Sequence, residues 1–132
     1  MVEKASQKSY SMLTYPGKEV FVFDLILLGV GEDGHTASLF PGEDALQEKG
    51  HLAVSANPSG SHNHERITLT LPVINKARNI LFMVTGDSKA EVIMEMLDKR
   101  KSELPAAFVS PDHGSLYFLL DKEAASRLSI KN

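Results

Sequence analysis

The chain has 132 residues, 42% of them hydrophobic and 23% charged, with 14 basic against 17 acidic side chains and a net charge of -3. That length suits one domain with a real core, spanning residues 1–132, and the mild acidity excludes a general electrostatic grip on nucleic acid or an anionic membrane. With no cysteine in the sequence, disulfides, thiolate nucleophiles and cysteine metal sites are excluded as well.

Residues 3–13 carry good helix formers and run into Tyr15-Pro16-Gly17, which predicts a helix and then a turn. Their start has no apolar stretch of signal-peptide type. Residues 19–29 are aromatic, β-branched and nearly all apolar, which predicts a central strand covered on both faces. The longest apolar run, Val20 to Val30, holds Asp24 and is too short to span a bilayer. A soluble, cytoplasmic protein is expected.

A glycine-punctuated loop follows, Gly29-Val30-Gly31-Glu32-Asp33-Gly34-His35. Thr36 to Phe40 reads as a short helix stopped by Pro41-Gly42. Residues 51–56 read as a strand, 57–65 as a polar loop, and 66–71 as an alternating strand. Asn79 to Thr85 is a further apolar strand. It leads through Gly86-Asp87-Ser88-Lys89 into an amphipathic helix ending near Lys99, with Ala90, Ile93, Met94 and Leu97 on one face. Leu116 to Leu120 reads as a last strand and Lys122 to Leu128 as a last helix. Strands alternating with helices predict an α/β fold with a mostly parallel sheet. Ligands of such sheets bind at the carboxyl ends of the strands. The loops at 29–38 and 85–89 are therefore the candidates.

Gly29, Gly31 and Gly34 match G-x-G-x-x-G after a strand, the dinucleotide pattern. Glu32 and Asp33 would set negative charge against a pyrophosphate, and no second strand ends in an acid at the required distance. His35 is the more informative residue. At the positive end of a helix starting at Thr36, its ring would be held neutral, as a general base requires. Asp33 either caps that helix or orients the imidazole. The competing reading is a helix cap beside a half-buried packing histidine. His62 and His64 lie in a polar loop and lack a third metal ligand. His51 and His113 show no partner.

Lys89 in the first turn of a helix is suited to holding a phosphate, or is merely solvated. Arg66 at a strand start can make a two-pronged contact with phosphate or carboxylate, or is an ordinary surface arginine. Arg78, Arg100 and the run Lys99-Arg100-Lys101 read as solvated basic groups.

Three blocks then carry a resemblance: Phe23 to Gly42, Glu65 to Ile93, and Leu104 to Pro111 with Leu116 to Ala125. In order and spacing they resemble the 6-phosphogluconolactonases of the glucosamine/galactosamine-6-phosphate isomerase superfamily. The resemblance implies a three-layer, Rossmann-like sheet and hydrolysis of 6-phosphoglucono-δ-lactone to 6-phosphogluconate in the oxidative pentose phosphate pathway. It implies neither a metal nor an organic cofactor. His35 matches the family's catalytic histidine, Asp33 an acid beside it, and Arg66 and Lys89 positions that contact the sugar phosphate. Gly29, Gly31 and Gly34 form the substrate loop. The related glucosamine-6-phosphate deaminases carry a glutamate five residues after the histidine; here Phe40 stands there and cannot transfer a proton. Family members also carry an N-terminal half with a G-G-S-T-P-like loop, which this chain lacks. The chain thus resembles a C-terminal half, so either an inactive fragment or self-association through exposed strand edges is expected beside the lactonase reading.

Overall fold

The structure, a computed structural model, describes residues 21–56, 64–100 and 103–129. The helix expected over 3–13 and most of the polar loop at 57–65, His62 included, lie outside these residues. The described strands are β1 (Ile26–Leu28), β2 (Ala53–Ala56), β3 (Arg66–Leu69), β4 (Asn79–Val84) and β5 (Ser115–Leu120). The helices are α1 (Leu71–Asn75) and α2 (Ala90–Leu97). Single 3-10 turns occupy Asp44–Gln47, Asp87–Lys89 and Pro105–Phe108.

β1, β4 and β5 form a parallel sheet in the order β1-β4-β5, while β2 and β3 pair antiparallel as a separate ribbon. The α/β fold with a mostly parallel sheet is therefore the observed one. Residue alternation builds its core. Ile80, Phe82 and Val84 of β4 point inward and are buried, as are Ile26 and Leu28 of β1. Phe82 and Phe118, paired in register, stack with centroids 5.1 Å apart. This face packs against Val92, Ile93 and Met96 of α2 and against Ala106 and Val109. Burying each such side chain contributes about 1.5–3 kcal/mol. α2 turns its Ala90, Val92, Ile93 and Met96 inward. Its seam is thus rotated from the expected one, and Met94 is only half-buried.

Four expectations are corrected. β1 is three residues long and lies at the edge of the three described strands, and Leu27 is 57% exposed. Upstream of it the chain leaves the ladder: Arg78 N–H donates to the Phe23 carbonyl, and the Arg78 guanidinium pairs with Asp24. Leu25, Met83, Tyr117 and Leu119 are also exposed, and register and pleat place Met83, Tyr117 and Leu119 on the same side of the sheet as Leu27.

Thr36 to Phe40 is a turn rather than a helix. Leu39 N–H bonds back to the Thr36 carbonyl, Ala37 takes a left-handed φ of 50°, and the Thr36 hydroxyl is committed to the Gly29 carbonyl at 2.8 Å. Lys122 to Leu128 is likewise a run of turns, in which three-residue hydrogen bonds outnumber helical ones. Finally, His51 does have a partner, since its Nδ1 lies 2.9 Å from Glu48 Oε1. That contact, with the Gly50 N–H, holds the Glu48 carboxyl below the usual carboxylate range.

α1 was not visible in the sequence because Pro72 reads as a breaker. A proline in the first helical turn gives up only an N–H that has no helical partner. Among the described residues, no helix is long and apolar enough to cross a membrane.

Candidate active site

The site begins where β1 ends. The Gly31 N–H donates to the His35 carbonyl and the Gly34 N–H to the Gly31 carbonyl, both at 2.9 Å, folding the loop back on itself. Two glycines are sterically required. A Cβ on Gly31 would collide with the His35 ring and lie 2.8 Å from Asp33 Oδ1. Gly34 has a φ of +86°, and a Cβ there would lie 2.8 Å from Leu104 Cδ2. The Gly34 carbonyl accepts from Ala106 N–H, which ties the loop to the 3-10 turn of Pro105–Phe108. Gly29 contributes the carbonyl that holds Thr36.

Within this loop Asp33 Oδ1 makes two contacts with one residue. It accepts the His35 backbone N–H at 3.0 Å and lies 2.5 Å from His35 Nδ1. A carboxylate only accepts, so Nδ1 carries a proton, and in the neutral imidazole the lone pair is then on Nε2. Of the two roles open to Asp33, orienting the imidazole is the one the geometry favours, since no helix begins at Thr36. The helix-field argument for a neutral ring lapses for the same reason.

The His35 side chain is 22% exposed and lines a cavity of about 370 Å³ with Gly29, Gly31, Ala37 and Lys89. Lys89 arrives from the carboxyl end of β4, the neighbour of β1. Two adjacent strand ends thus supply an imidazole and an ammonium group to one space. A larger cavity of about 530 Å³ lies between α2, the turn at Pro105–Phe108 and β5. Its lining is mostly apolar, with Arg100 its one ionisable group, so it offers no comparable chemistry.

The Lys89 loop is fixed from a distance. The Asp121 carboxylate, at the end of β5, accepts the Gly86 N–H at 3.0 and 3.1 Å and the Ala124 N–H at 2.8 Å. The Gly86 N–H is thereby taken and unavailable to a phosphate. Anion binding here falls to the Lys89 side chain, not to that backbone group.

Arg66 opens β3 and does not line the cavity. It reaches the site through Phe40: its guanidinium carbon lies 5.5 Å from the Phe40 ring centroid, and that ring stacks on His35 with centroids 4.5 Å apart. Arg66 Nε is buried with no hydrogen-bond partner among the described residues. A buried donor left unmade costs about 1–3 kcal/mol, which an anionic ligand would recover. β3 is coupled to the loop a second time, because Thr68 Oγ1 accepts the Ser38 N–H at 3.1 Å.

The sequence brought forward His35, Asp33, Lys89, Arg66 and the glycines. It passed over Phe40 as a wall of the site and Asp121 as an anchor. Phe40 reads as core because it is apolar. Asp121 stands at a strand end, where an acid can accept loop N–H groups, and that position was its one signal.

Residues 1–118 match the model of a family described as glucosamine-6-phosphate isomerases/6-phosphogluconolactonase. The chain belongs to this family. It is 47% identical to the rat protein named 6-phosphogluconolactonase over 116 residues, covering 88% of this chain and 45% of that one. The human protein of that name is 42% identical over 132 residues, with 98% and 51% covered. The solved structure of 6-phosphogluconolactonase from Trypanosoma cruzi superposes with a TM-score of 0.81 at 32% identity, covering 98% of this chain and 53% of that one. The chain spans about half the length of the curated relatives it matches. In this chain the Asp33–His35 pair follows a parallel strand, with Lys89 lining the same cavity.

Proposed function

We propose that the chain hydrolyses 6-phosphoglucono-δ-lactone to 6-phosphogluconate, with His35 as the base. The observation that carries this is the Asp33–His35 pair: a proton fixed on Nδ1 leaves Nε2 as the acceptor, in a cavity shared with Lys89. In this mechanism Nε2 takes a proton from water as the water oxygen attacks the lactone carbonyl. The tetrahedral intermediate collapses, the ring C–O bond breaks, and the imidazolium returns the proton to the departing hydroxyl. One water is consumed, and the carboxylic acid formed releases a proton to solvent to give the carboxylate. Asp33 stabilises the imidazolium that exists between the two transfers, as carboxylates do in hydrolytic triads.

Lys89 and Arg66 are assigned to the substrate phosphate, with the unpartnered Arg66 Nε as support. The deaminase reaction is disfavoured because Phe40, buried and stacked on His35, has no proton to transfer. We also propose a cytoplasmic setting, in keeping with a chain free of cysteine. Association with a second copy through the apolar sheet face around Leu27 and Tyr117 is part of the same proposal.

The test is substrate choice. Purified chain is expected to accelerate opening of 6-phosphoglucono-δ-lactone above its spontaneous rate and to release no ammonia from glucosamine-6-phosphate. Ammonia release without lactone hydrolysis would reverse the assignment. Neither activity, with 6-phosphogluconate still bound, would mark the chain as an inactive binding fragment.

A further inference from the structure

The hydrogen bond from Nδ1 to Asp33 fixes one point of the His35 ring. That bond acts at the ring edge, and a contact on the ring face restrains the tilt of the plane as well. Phe40 is 3% exposed, and its ring lies against the imidazole at a centroid distance of 4.5 Å and an interplanar angle of 29°. The same ring carries the Arg66 guanidinium, 5.5 Å from its centroid. The Arg66 Nε is buried with no hydrogen-bond partner among the described residues, so the ring face is one contact that holds the guanidinium in place.

We propose that Phe40 is a positioning residue that sets the plane of the His35 imidazole and seats the Arg66 guanidinium, so that base and phosphate contact share one aromatic wall. This rests on the lactonase reading for its catalytic consequence, though not for its geometry. The backbone supports the placement. The Leu39 N–H to Thr36 carbonyl bond and the Ser38 N–H to Thr68 Oγ1 bond lock the turn that delivers Phe40. Leu39, beside it, is fully buried. The wall is therefore anchored on both the loop and β3, the two segments whose side chains it aligns.

The experiment compares wild type with Phe40→Leu, which keeps an apolar side chain and removes the ring face, and with Phe40→Tyr, which keeps the face. Nitrogen-15 spectra of the histidine rings report the His35 tautomer, and proton spectra report the ring-current shift from Phe40. Phe40→Leu is expected to lose that shift and to broaden or split the His35 ring signals, while Asp33 keeps the proton on Nδ1. In the lactone assay it is expected to lose at least about tenfold in kcat through misalignment of the base, with KM raised as Arg66 loosens. Phe40→Tyr is expected to restore a single set of shifted His35 ring signals and most of kcat. A folded Phe40→Leu with wild-type His35 signals, kcat and KM would overturn the proposal. If Phe40→Leu does not fold, the wild type decides: absence of cross-relaxation between the Phe40 and His35 ring protons would overturn it, and its presence supports it. The spectra need no turnover, so an inactive wild type would strike the lactonase reading and leave this one to the imidazole signals.

Discussion

The two loops that meet in the cavity are built in opposite ways. The His35 loop is closed mainly by its own residues: Asp33 holds His35 two residues on, Gly31 N–H reaches the His35 carbonyl, and the Thr36 hydroxyl returns to Gly29, with Ala106 and Thr68 adding ties from outside. The Lys89 loop is held mainly by Asp121, 35 residues away on the next strand. Local closure makes the first loop rigid on its own account and recognisable as a short pattern. The second depends on the sheet being assembled, and its anchor is invisible until β4 and β5 pair. The base is thus placed by sequence neighbours and the ammonium group by the fold.

Three substitutions separate these two kinds of support. The largest effect is expected from Asp33→Asn. An amide can donate to Nδ1 as well as accept from it, so the tautomer is no longer dictated. By analogy with the orienting aspartate of serine proteases, kcat should fall by about 10³–10⁴, with KM little changed. Steady-state kinetics and the nitrogen-15 tautomer signal check it together.

Gly31→Ala comes next. Its methyl group would press into the His35 ring and the Asp33 carboxylate, displacing the base at a cost of about 10²-fold in kcat. Overpacking adds about 1–3 kcal/mol of lost stability. Thermal melts and lactone turnover should both register it, and loss of stability alone would mean that the loop accommodates the methyl away from His35.

The smallest effect on turnover is expected from Asp121→Ala. Two N–H groups lose their acceptor, which costs about 1–3 kcal/mol of stability. KM should rise with kcat nearly unchanged, because Lys89 serves binding and His35 remains in place. A fall in kcat with unaltered KM would erase the distinction between the two loops.

The same contrast explains what could be read from the sequence. β4 and β5 were legible as short apolar runs, while which of their faces is buried shows only in the fold. Gly31, Asp33 and His35 were legible because the contacts that close their loop lie within five residues; Gly34 also meets Leu104 and Ala106, which the pattern does not show. The helix expected at Thr36 was wrong because a threonine hydroxyl took a backbone carbonyl and Ala37 turned left-handed; neither event has a periodic signature. Among the described strands β1 lies at the edge with Leu27 exposed, since an apolar run reports burial potential and not which strands pair with it. Phe40 escaped because an aromatic residue before Pro41 looks like core and is indeed buried; its contacts, not its burial, give it a second part in the site. Arg66 was singled out as a candidate for its strand-start position, and its route to His35 across an aromatic ring could be seen only in three dimensions.

The central claim is that His35 is the base of a lactone hydrolysis carried by this chain. It is tested most directly by initial rates of 6-phosphoglucono-δ-lactone opening for the wild type and His35→Ala, each corrected for the spontaneous reaction. The account predicts a measurable rate for the wild type and a His35→Ala rate at the spontaneous background, with both proteins equally folded. Equal, above-background rates for the two would contradict it.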